Sequence, residues 1–143
     1  MKKPTILLIE DDELDIISVE RSLKKTESGY ILHTAYNGIE AFKMLRDKNM
    51  NLVPDVILLD INMPRMNGIE FLKLLRSDEI LKDLKVFVMT TSSEATDRSA
   101  AEELGISGYI LKPLNYTDNT KRSDSMDAFV QFHLRKILHI ENT

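Results

Sequence analysis

The 143-residue sequence predicts an α/β fold, in which a parallel five-stranded sheet carries helices on both faces. Short runs rich in Ile, Val and Leu alternate along the chain with amphipathic segments of helical spacing. That alternation is typical of buried parallel strands joined by crossover helices. Turn residues such as Asn37-Gly38, Pro54-Asp55 and Gly105 separate the segments. The length suits one domain, so we expect residues 1–143 to form a single domain.

The predicted strands are short and apolar, and they cover residues 5–9, 31–35, 56–59, 86–89 and 109–111. Apolar residues at helical spacing predict three helices between the first four strands. The residues that carry this spacing are Ile16, Val19 and Leu23, then Ala41, Phe42 and Leu45, then Ile69, Leu72 and Leu75. A weaker, alanine-rich helix is predicted within 94–104, and a longer final helix over 124–140. The polar stretch 115–125 before this last helix is longer than most connections of its kind.

Composition and charge exclude several classes of protein. The sequence is 43% hydrophobic and 29% charged, which is the balance of a globular domain rather than a disordered chain. It contains no cysteine, which excludes disulfides and thiolate metal sites. A net charge of −4 argues against a nucleic-acid partner, and the apolar runs are too short to cross a membrane. We therefore expect a soluble, cytoplasmic protein.

Polar and charged residues follow four of the predicted strands. They are Glu10-Asp11-Asp12 after the first strand, Asp60 after the third, Thr90-Thr91 after the fourth and Lys112-Pro113 after the fifth. Any one of them could be an ordinary helix cap, turn or strand-end residue. In a parallel sheet, however, ligands bind at the carboxyl ends of the strands, where these residues converge. Their joint occurrence therefore predicts a functional site at that edge.

The charges of this edge indicate what it binds. Glu10, Asp11 and Asp60 carry about −3 together when ionised, which is unfavourable in a partly buried site. A divalent cation and Lys112 would bring the sum to zero, and hard oxygen ligands favour Mg²⁺ or Mn²⁺. A phosphoryl group transferred to Asp60 would form a mixed anhydride whose oxygens Lys112 and Thr90 could bind.

The chain resembles the receiver domains of two-component response regulators from Thr5 to Ile140. Four segments carry the resemblance: Ile-Leu-Leu-Ile-Glu-Asp-Asp (6–12), Leu-Leu-Asp-Ile-Asn-Met-Pro (58–64) with Gly68 following, Val-Met-Thr-Thr-Ser (88–92) and Gly-Tyr-Ile-Leu-Lys-Pro (108–113). Together, in this order and spacing, they are strongly specific. The resemblance implies a (βα)5 flavodoxin-like fold, a three-layer sandwich with strand order 2-1-3-4-5.

The resemblance also implies roles for the acidic residues. Asp60 matches the phosphoacceptor, and Asp11 matches the direct ligand of Mg²⁺ or Mn²⁺. Glu10 would help to hold the metal through water, and the backbone carbonyl of Asn62 would complete the ligands from the protein. Asp12 falls just outside the metal positions and is interpreted as an outer or helix-starting residue.

The remaining matched positions concern the phosphoryl group and the switch. Thr90 and Lys112 match the residues that bind the phosphoryl group. Tyr109 matches the aromatic residue whose rotamer follows phosphorylation as the Thr90 hydroxyl moves inward. The resemblance is strongest to stand-alone receivers, including those that partner bacterial phytochromes. It implies a histidine kinase or phosphotransfer protein as partner, no output domain, and a phosphorylation switch rather than an enzyme.

Three alternatives remain open. A phosphatase of the haloacid-dehalogenase type also uses an aspartate nucleophile, but it needs a second Asp where this chain has Asn62. A flavin mononucleotide module would need a Ser/Thr-rich phosphate loop after the first strand, where this chain is acidic. A degenerate receiver could act only as a scaffold, although the acceptor, metal and lysine positions are intact.

The final helix predicts self-association. Its apolar residues cover about half of the helix circumference, which is more than one sheet face needs. Phe132 lies outside that arc, on the expected wet face. We therefore expect a weak homodimer through the last helix and the fifth strand, unless the 115–125 segment covers the arc. The arc consists of Met126, Phe129, Val130, Leu134, Ile137, Leu138 and Ile140.

Overall fold

A computed structural model describes residues 3–26, 29–61, 63, 66–90, 95–112 and 125–137 of the chain. Strands and helices alternate throughout. The elements are β1 (Thr5–Ile9), α1 (Glu13–Leu23), β2 (Ile31–Ala35), α2 (Gly38–Arg46), β3 (Val56–Asp60), α3 (Gly68–Ser77), β4 (Val86–Thr90), α4 (Ala95–Glu103), β5 (Gly108–Leu111) and α5 (Met126–Ala128). The last helix continues beyond α5 as a π-helical segment, Phe129–Leu134.

The strands form one parallel sheet in the order β2-β1-β3-β4-β5, which confirms the predicted topology. β3 and β4 are each one residue longer than predicted, because Asp60 pairs with Met89 and Thr90 with Leu111. Asp60 and Thr90 are therefore the last residues of their strands rather than the first residues of loops. Ladder pairing fixes the backbone at both positions.

Alternating residues of the strands build a core on each side of the sheet. Leu7, Ile57 and Val88 point to the side that α2, α3 and α4 cover. Leu8 and Leu58 point to the opposite side, which α1 and the final helix cover. β1, β3 and β4 are buried on both faces, as expected for the inner strands of a three-layer sandwich.

α2 and α3 begin with the same four residues, Asn-Gly-Ile-Glu. The side chains of Asn37 and Asn67 cap the two helices by accepting hydrogen bonds from backbone N–H groups. The glycine of α3 has a second role, because a Cβ on Gly68 would lie 2.8 Å from the backbone oxygen of Asp60. Its N–H donates to the carbonyl of Ile61 at 3.0 Å. Glycine at this position lets α3 start directly behind the end of β3.

Arg76 joins three segments at the amino ends of β4 and β5. Its guanidinium donates hydrogen bonds to the carbonyls of Lys82 and Leu84 before β4, and of Leu104 and Gly105 after α4, at 2.6 to 3.0 Å. The end of α4 is therefore attached to α3 and to the loop before β4.

The final helix buries most of the apolar arc that suggested self-association. Ser125 caps its start by accepting a hydrogen bond from the N–H of Ala128 at 2.9 Å. In the π-helical segment, Phe129 and His133 both reach Phe87 of β4, with ring centroids 4.9 and 5.1 Å away. The arc residues that are buried in the chain's own core are Met126, Phe129, Val130, Leu134 and Ile137.

These five arc residues therefore pack within the chain itself, and the homodimer through the last helix and the fifth strand stays a prediction. Leu138, Ile140, the Phe132 side chain and residues 115–124 lie outside the described part of the chain. Within the described part, no helix is both long and apolar enough to span a lipid bilayer.

Candidate functional site

The carboxylates of Glu10, Asp11 and Asp60 meet at the carboxyl ends of β1 and β3. These strands are neighbours, with Ile9 paired to Leu59, so the residues that follow lie side by side. Each carboxylate offers one oxygen, and the three oxygens lie within 4.8 Å of one another. Glu10 is fully buried, Asp60 is 4% exposed and Asp11 is exposed. A set of hard oxygen donors with one solvent-facing side fits a small divalent cation that keeps some of its water.

Both carboxylate oxygens of Glu10 accept hydrogen bonds, Oε1 from Lys112 Nζ at 2.8 Å and Oε2 from the backbone. Its Oε2 accepts hydrogen bonds from the backbone N–H groups of Asp11 and Asp12, at 3.1 and 3.2 Å. Burial raises the pKa of Glu10, and its hydrogen bond with Asp60 raises the pKa further, to about 8, although Lys112 opposes the shift. Glu10 therefore binds a proton more tightly than an isolated glutamate does, and a cation beside it would favour its ionised form.

Lys112 is the positive group of the site. Its backbone N–H donates to the carbonyl of Thr90 at 2.9 Å, which places its side chain over the ends of β3 and β4. Its Nζ lies 2.7 Å from Asp15, 2.8 Å from Glu10 and 3.5 Å from Asp60. Burial by itself would lower the pKa of Lys112, but its hydrogen bonds to Asp15 and Glu10 raise the pKa above its ordinary value. The ammonium group therefore keeps its charge.

The sequence analysis did not identify Asp15 as a site residue. Asp15 is in the first turn of α1, which begins beside the carboxyl end of β1. One signal could have found it: Asp15 is four residues after Asp11, and a helix that starts at this edge points its first turn toward the site. The neighbouring Asp12 is the N-cap of α1, because its side chain accepts hydrogen bonds from the N–H groups of Leu14 and Asp15. The interpretation of Asp12 as a helix-starting residue is confirmed.

The two proposed switch residues lie on one side of the sheet. Tyr109 of β5 pairs with Val88 of β4, and the buried Thr90 follows Val88 by two residues. Because alternate residues of a strand point to the same face, Thr90 and Tyr109 both lie on the side of the sheet that α4 covers. The Tyr109 hydroxyl donates a hydrogen bond to the carbonyl of Arg98 at 2.9 Å and lies 3.3 Å from a carboxylate oxygen of Glu102. The guanidinium carbon of Arg98 is 4.7 Å from the centre of the Tyr109 ring. Burial and the nearby Glu102 carboxylate raise the pKa of Tyr109.

The structure brings most of the predicted site residues to one edge. Glu10, Asp11, Asp60 and Lys112 form a connected cluster, and Thr90 ends the strand next to Asp60. Asn62 lies outside the described residues. The family model for the response regulator receiver domain matches residues 6–123. The chain belongs to the response regulator receiver family.

Solved receivers share this architecture. The Mn²⁺-bound form of response regulator Rcp1 is 30% identical, covers 92% of this chain and 94% of its own, and superposes with a TM-score of 0.79. The phosphorylated cyanobacterial phytochrome response regulator RcpA is 28% identical, with coverages of 99% and 93% and a TM-score of 0.74. A two-component response regulator from Legionella pneumophila is 44% identical, with coverages of 90% and 98% and a TM-score of 0.72. The predicted similarity to phytochrome-partner receivers is confirmed.

Among curated proteins, the sensor histidine kinase CheAY of Helicobacter pylori is 35% identical over 126 residues. Those residues are 86% of this receiver and only 15% of CheAY. The similarity therefore concerns one module of that longer protein.

Proposed function

We propose that this receiver accepts a phosphoryl group on Asp60 from a phosphohistidine of a histidine kinase or phosphotransfer protein. The observation that carries the proposal is the 3.5 Å contact between Lys112 Nζ and Asp60 Oδ1, two largely buried groups that lie beside the carboxylates of Glu10 and Asp11. A nucleophilic carboxylate with a fixed cation beside it suits the transfer of an anionic group.

Asp60, Lys112 and Thr90 have different roles in the proposed transfer. A carboxylate oxygen of Asp60 forms a bond to phosphorus while the bond from phosphorus to the imidazole nitrogen breaks, and the electron pair stays on that nitrogen. Lys112 offsets the negative charge of the phosphoryl oxygens. Thr90, at the end of the adjacent strand, donates a hydrogen bond to one of them. Positioning and electrostatics supply most of the catalysis in such transfers.

The divalent cation is proposed to be Mg²⁺ or Mn²⁺, held by Glu10, Asp11, Asp60 and the backbone carbonyl of Asn62. When bound, the cation neutralises charge on the phosphoryl oxygens. Glu10 and Asp11 therefore serve to hold it next to the acceptor. The three clustered carboxylate oxygens and the Mn²⁺-bound form of Rcp1 support this assignment.

Signalling is proposed to follow from protein contacts that change with phosphorylation. Residues 1–143 would act as one receiver unit in the cytoplasm, as a switch and not as a turnover enzyme. The likeness to RcpA, a phytochrome response regulator solved in its phosphorylated form, supports phosphorylation of this receiver. Thr90 and Tyr109 would carry the change to α4 and β5.

We also propose a homodimer through the last helix and β5. Phe132 is the position to test in it, because five of the seven arc residues are buried within the chain. The substitution Phe132→Asp should then abolish a dimer without unfolding the protein. Sedimentation with and without beryllofluoride measures this directly. A monomer at tens of micromolar under both conditions would exclude the dimer.

Labelling with radioactive acetyl phosphate tests the proposed function. The wild type should incorporate label with Mg²⁺ present and lose the reaction when the metal is chelated. Asp60→Asn should not be labelled, because the amide keeps the shape of the side chain and loses the nucleophile. Circular dichroism must show the same fold in both proteins. Wild-type labelling of Asp60→Asn would identify another acceptor, and unlabelled wild type would favour the scaffold alternative.

A further inference from the structure

The ammonium group of Lys112 lies closer to two other carboxylates than to the proposed acceptor. Nζ is 2.7 Å from Asp15 Oδ2 and 2.8 Å from Glu10 Oε1, which are the lengths of charge-assisted hydrogen bonds. Its distance to Asp60 Oδ1 is 3.5 Å, too long for such a bond. Two of the three ammonium donors are therefore engaged away from Asp60.

Asp15 differs from the other two partners of Lys112. Its carboxylate comes from the first turn of α1 and is not one of the three that cluster as metal ligands. Its side chain is 21% exposed, whereas that of Glu10 is fully buried. Asp15 adds a negative charge to a site that is already crowded with carboxylates, and that charge attracts the one lysine that would offset a phosphoryl group.

We propose that Asp15 is a positioning residue that draws Lys112 away from Asp60 and so weakens the binding of the phosphoryl group by the receiver. This inference rests on the proposed function, since it takes Asp60 as the acceptor. Removing the charge of Asp15 has two effects, and both should strengthen the binding of a phosphoryl group. It releases a donor of Lys112 for the phosphoryl oxygens, and it lowers the repulsion that any added anion meets.

Beryllofluoride, which adds a phosphoryl-like anion to an aspartate, is the probe for this effect. Its affinity is measured by NMR titration at saturating Mg²⁺, so that altered metal binding does not contribute. Asp15→Asn keeps the size of the side chain and an acceptor oxygen but loses the charge. We expect its apparent Kd for beryllofluoride to be about threefold or more below that of the wild type.

Two variants separate this role from a merely structural one. Glu13 is an exposed acid in the same first turn of α1 and is not among the three carboxylates at Lys112. Glu13→Gln removes the same charge from the helix terminus, and it should leave the affinity unchanged. Asp15→Glu keeps the charge beside Lys112, so its affinity should return toward the wild-type value.

The outcomes are distinct. The inference would be overturned if Asp15→Asn bound beryllofluoride no more tightly than the wild type does. It would also be overturned if the gain in affinity were no larger than that of Glu13→Gln. If Asp15→Asn does not fold, the comparison of Asp15→Glu with the wild type decides, and a large loss of affinity would count against a charge-based role. Failure of the wild type to bind beryllofluoride, or equal binding by Asp60→Asn, would instead defeat the proposed function.

Discussion

The hydroxyl of Tyr109 donates a hydrogen bond to the backbone carbonyl of Arg98, 2.9 Å away, and so attaches β5 to α4. The guanidinium group of the same arginine lies over the tyrosine ring. Among the described side chains of α4, Ala101 is the one that is fully buried. Because that helix has a small apolar face, the contact with Tyr109 contributes much of what holds it to the sheet.

Replacement of Tyr109 with Phe should loosen α4. The variant loses the hydrogen bond to Arg98 and keeps the ring, so we expect a loss of about 1 kcal/mol in the free energy of unfolding. Amide hydrogen exchange should become faster across α4. Tyr36→Phe is the matched control, since Tyr36 is exposed after β2. Unchanged exchange in α4 would show that this hydrogen bond does not restrain the helix.

Replacement of Asp11 with Ala should block labelling by acetyl phosphate, because it removes a proposed metal ligand. Without metal, the same variant should melt slightly higher than the wild type, since one charge leaves a crowded group of carboxylates. Thermal unfolding in a chelator measures the second effect. Glu13→Gln removes a charge outside the cluster and should change neither property. A lower melting temperature for Asp11→Ala would contradict the repulsion argument.

Gly68→Ala should cost more stability than Gly38→Ala, although both glycines follow an asparagine cap. A Cβ on Gly68 would lie 2.7 Å from the backbone Cα of Ile61, and backbone cannot easily move there. A Cβ on Gly38 would first meet the flexible side chain of Met66, at 3.0 Å. We expect a loss of about 1–3 kcal/mol for Gly68→Ala by denaturant unfolding. Its labelling at Asp60 should fall as well, because α3 abuts the end of β3.

Asp78 should make the stability of the fold depend on pH under acidic conditions. Burial would raise the pKa of Asp78, but hydrogen bonds from the N–H groups of Ile80 and Leu81, with the charge of Arg46, hold it below the ordinary 3.8. Since the folded state binds the proton more weakly than the unfolded state, this carboxylate stabilises the fold above that pH and loses its effect as the pH falls.

The variant Asp78→Asn should therefore melt below the wild type at neutral pH, and the difference should shrink as the pH drops below 3.8. Glu79→Gln is the control, because the side chain of Glu79 is 92% exposed. A difference between Asp78→Asn and wild type that stays constant with pH would mean that the charge of Asp78 plays no part.

The alternation of apolar runs and helical spacing in the sequence was enough to predict the element order and the central strands. Strand-end residues could also be read directly, because a residue that follows a buried parallel strand must lie at the carboxyl edge of the sheet. Asp60, Thr90 and Lys112 were predicted in this way. Their functional roles stay predictions, as does that of Asn62, which lies outside the described residues.

Contacts between elements were decided by the tertiary structure. The pairing of Lys112 with Asp15 depends on where the first turn of α1 lies relative to the Lys112 side chain, and no local pattern specifies that placement. The wide apolar arc of the final helix suggested a surface for self-association, yet five of its residues are buried in the chain's own core. Local spacing determines which residues share a face, whereas the packing of helices on the sheet determines what each face meets.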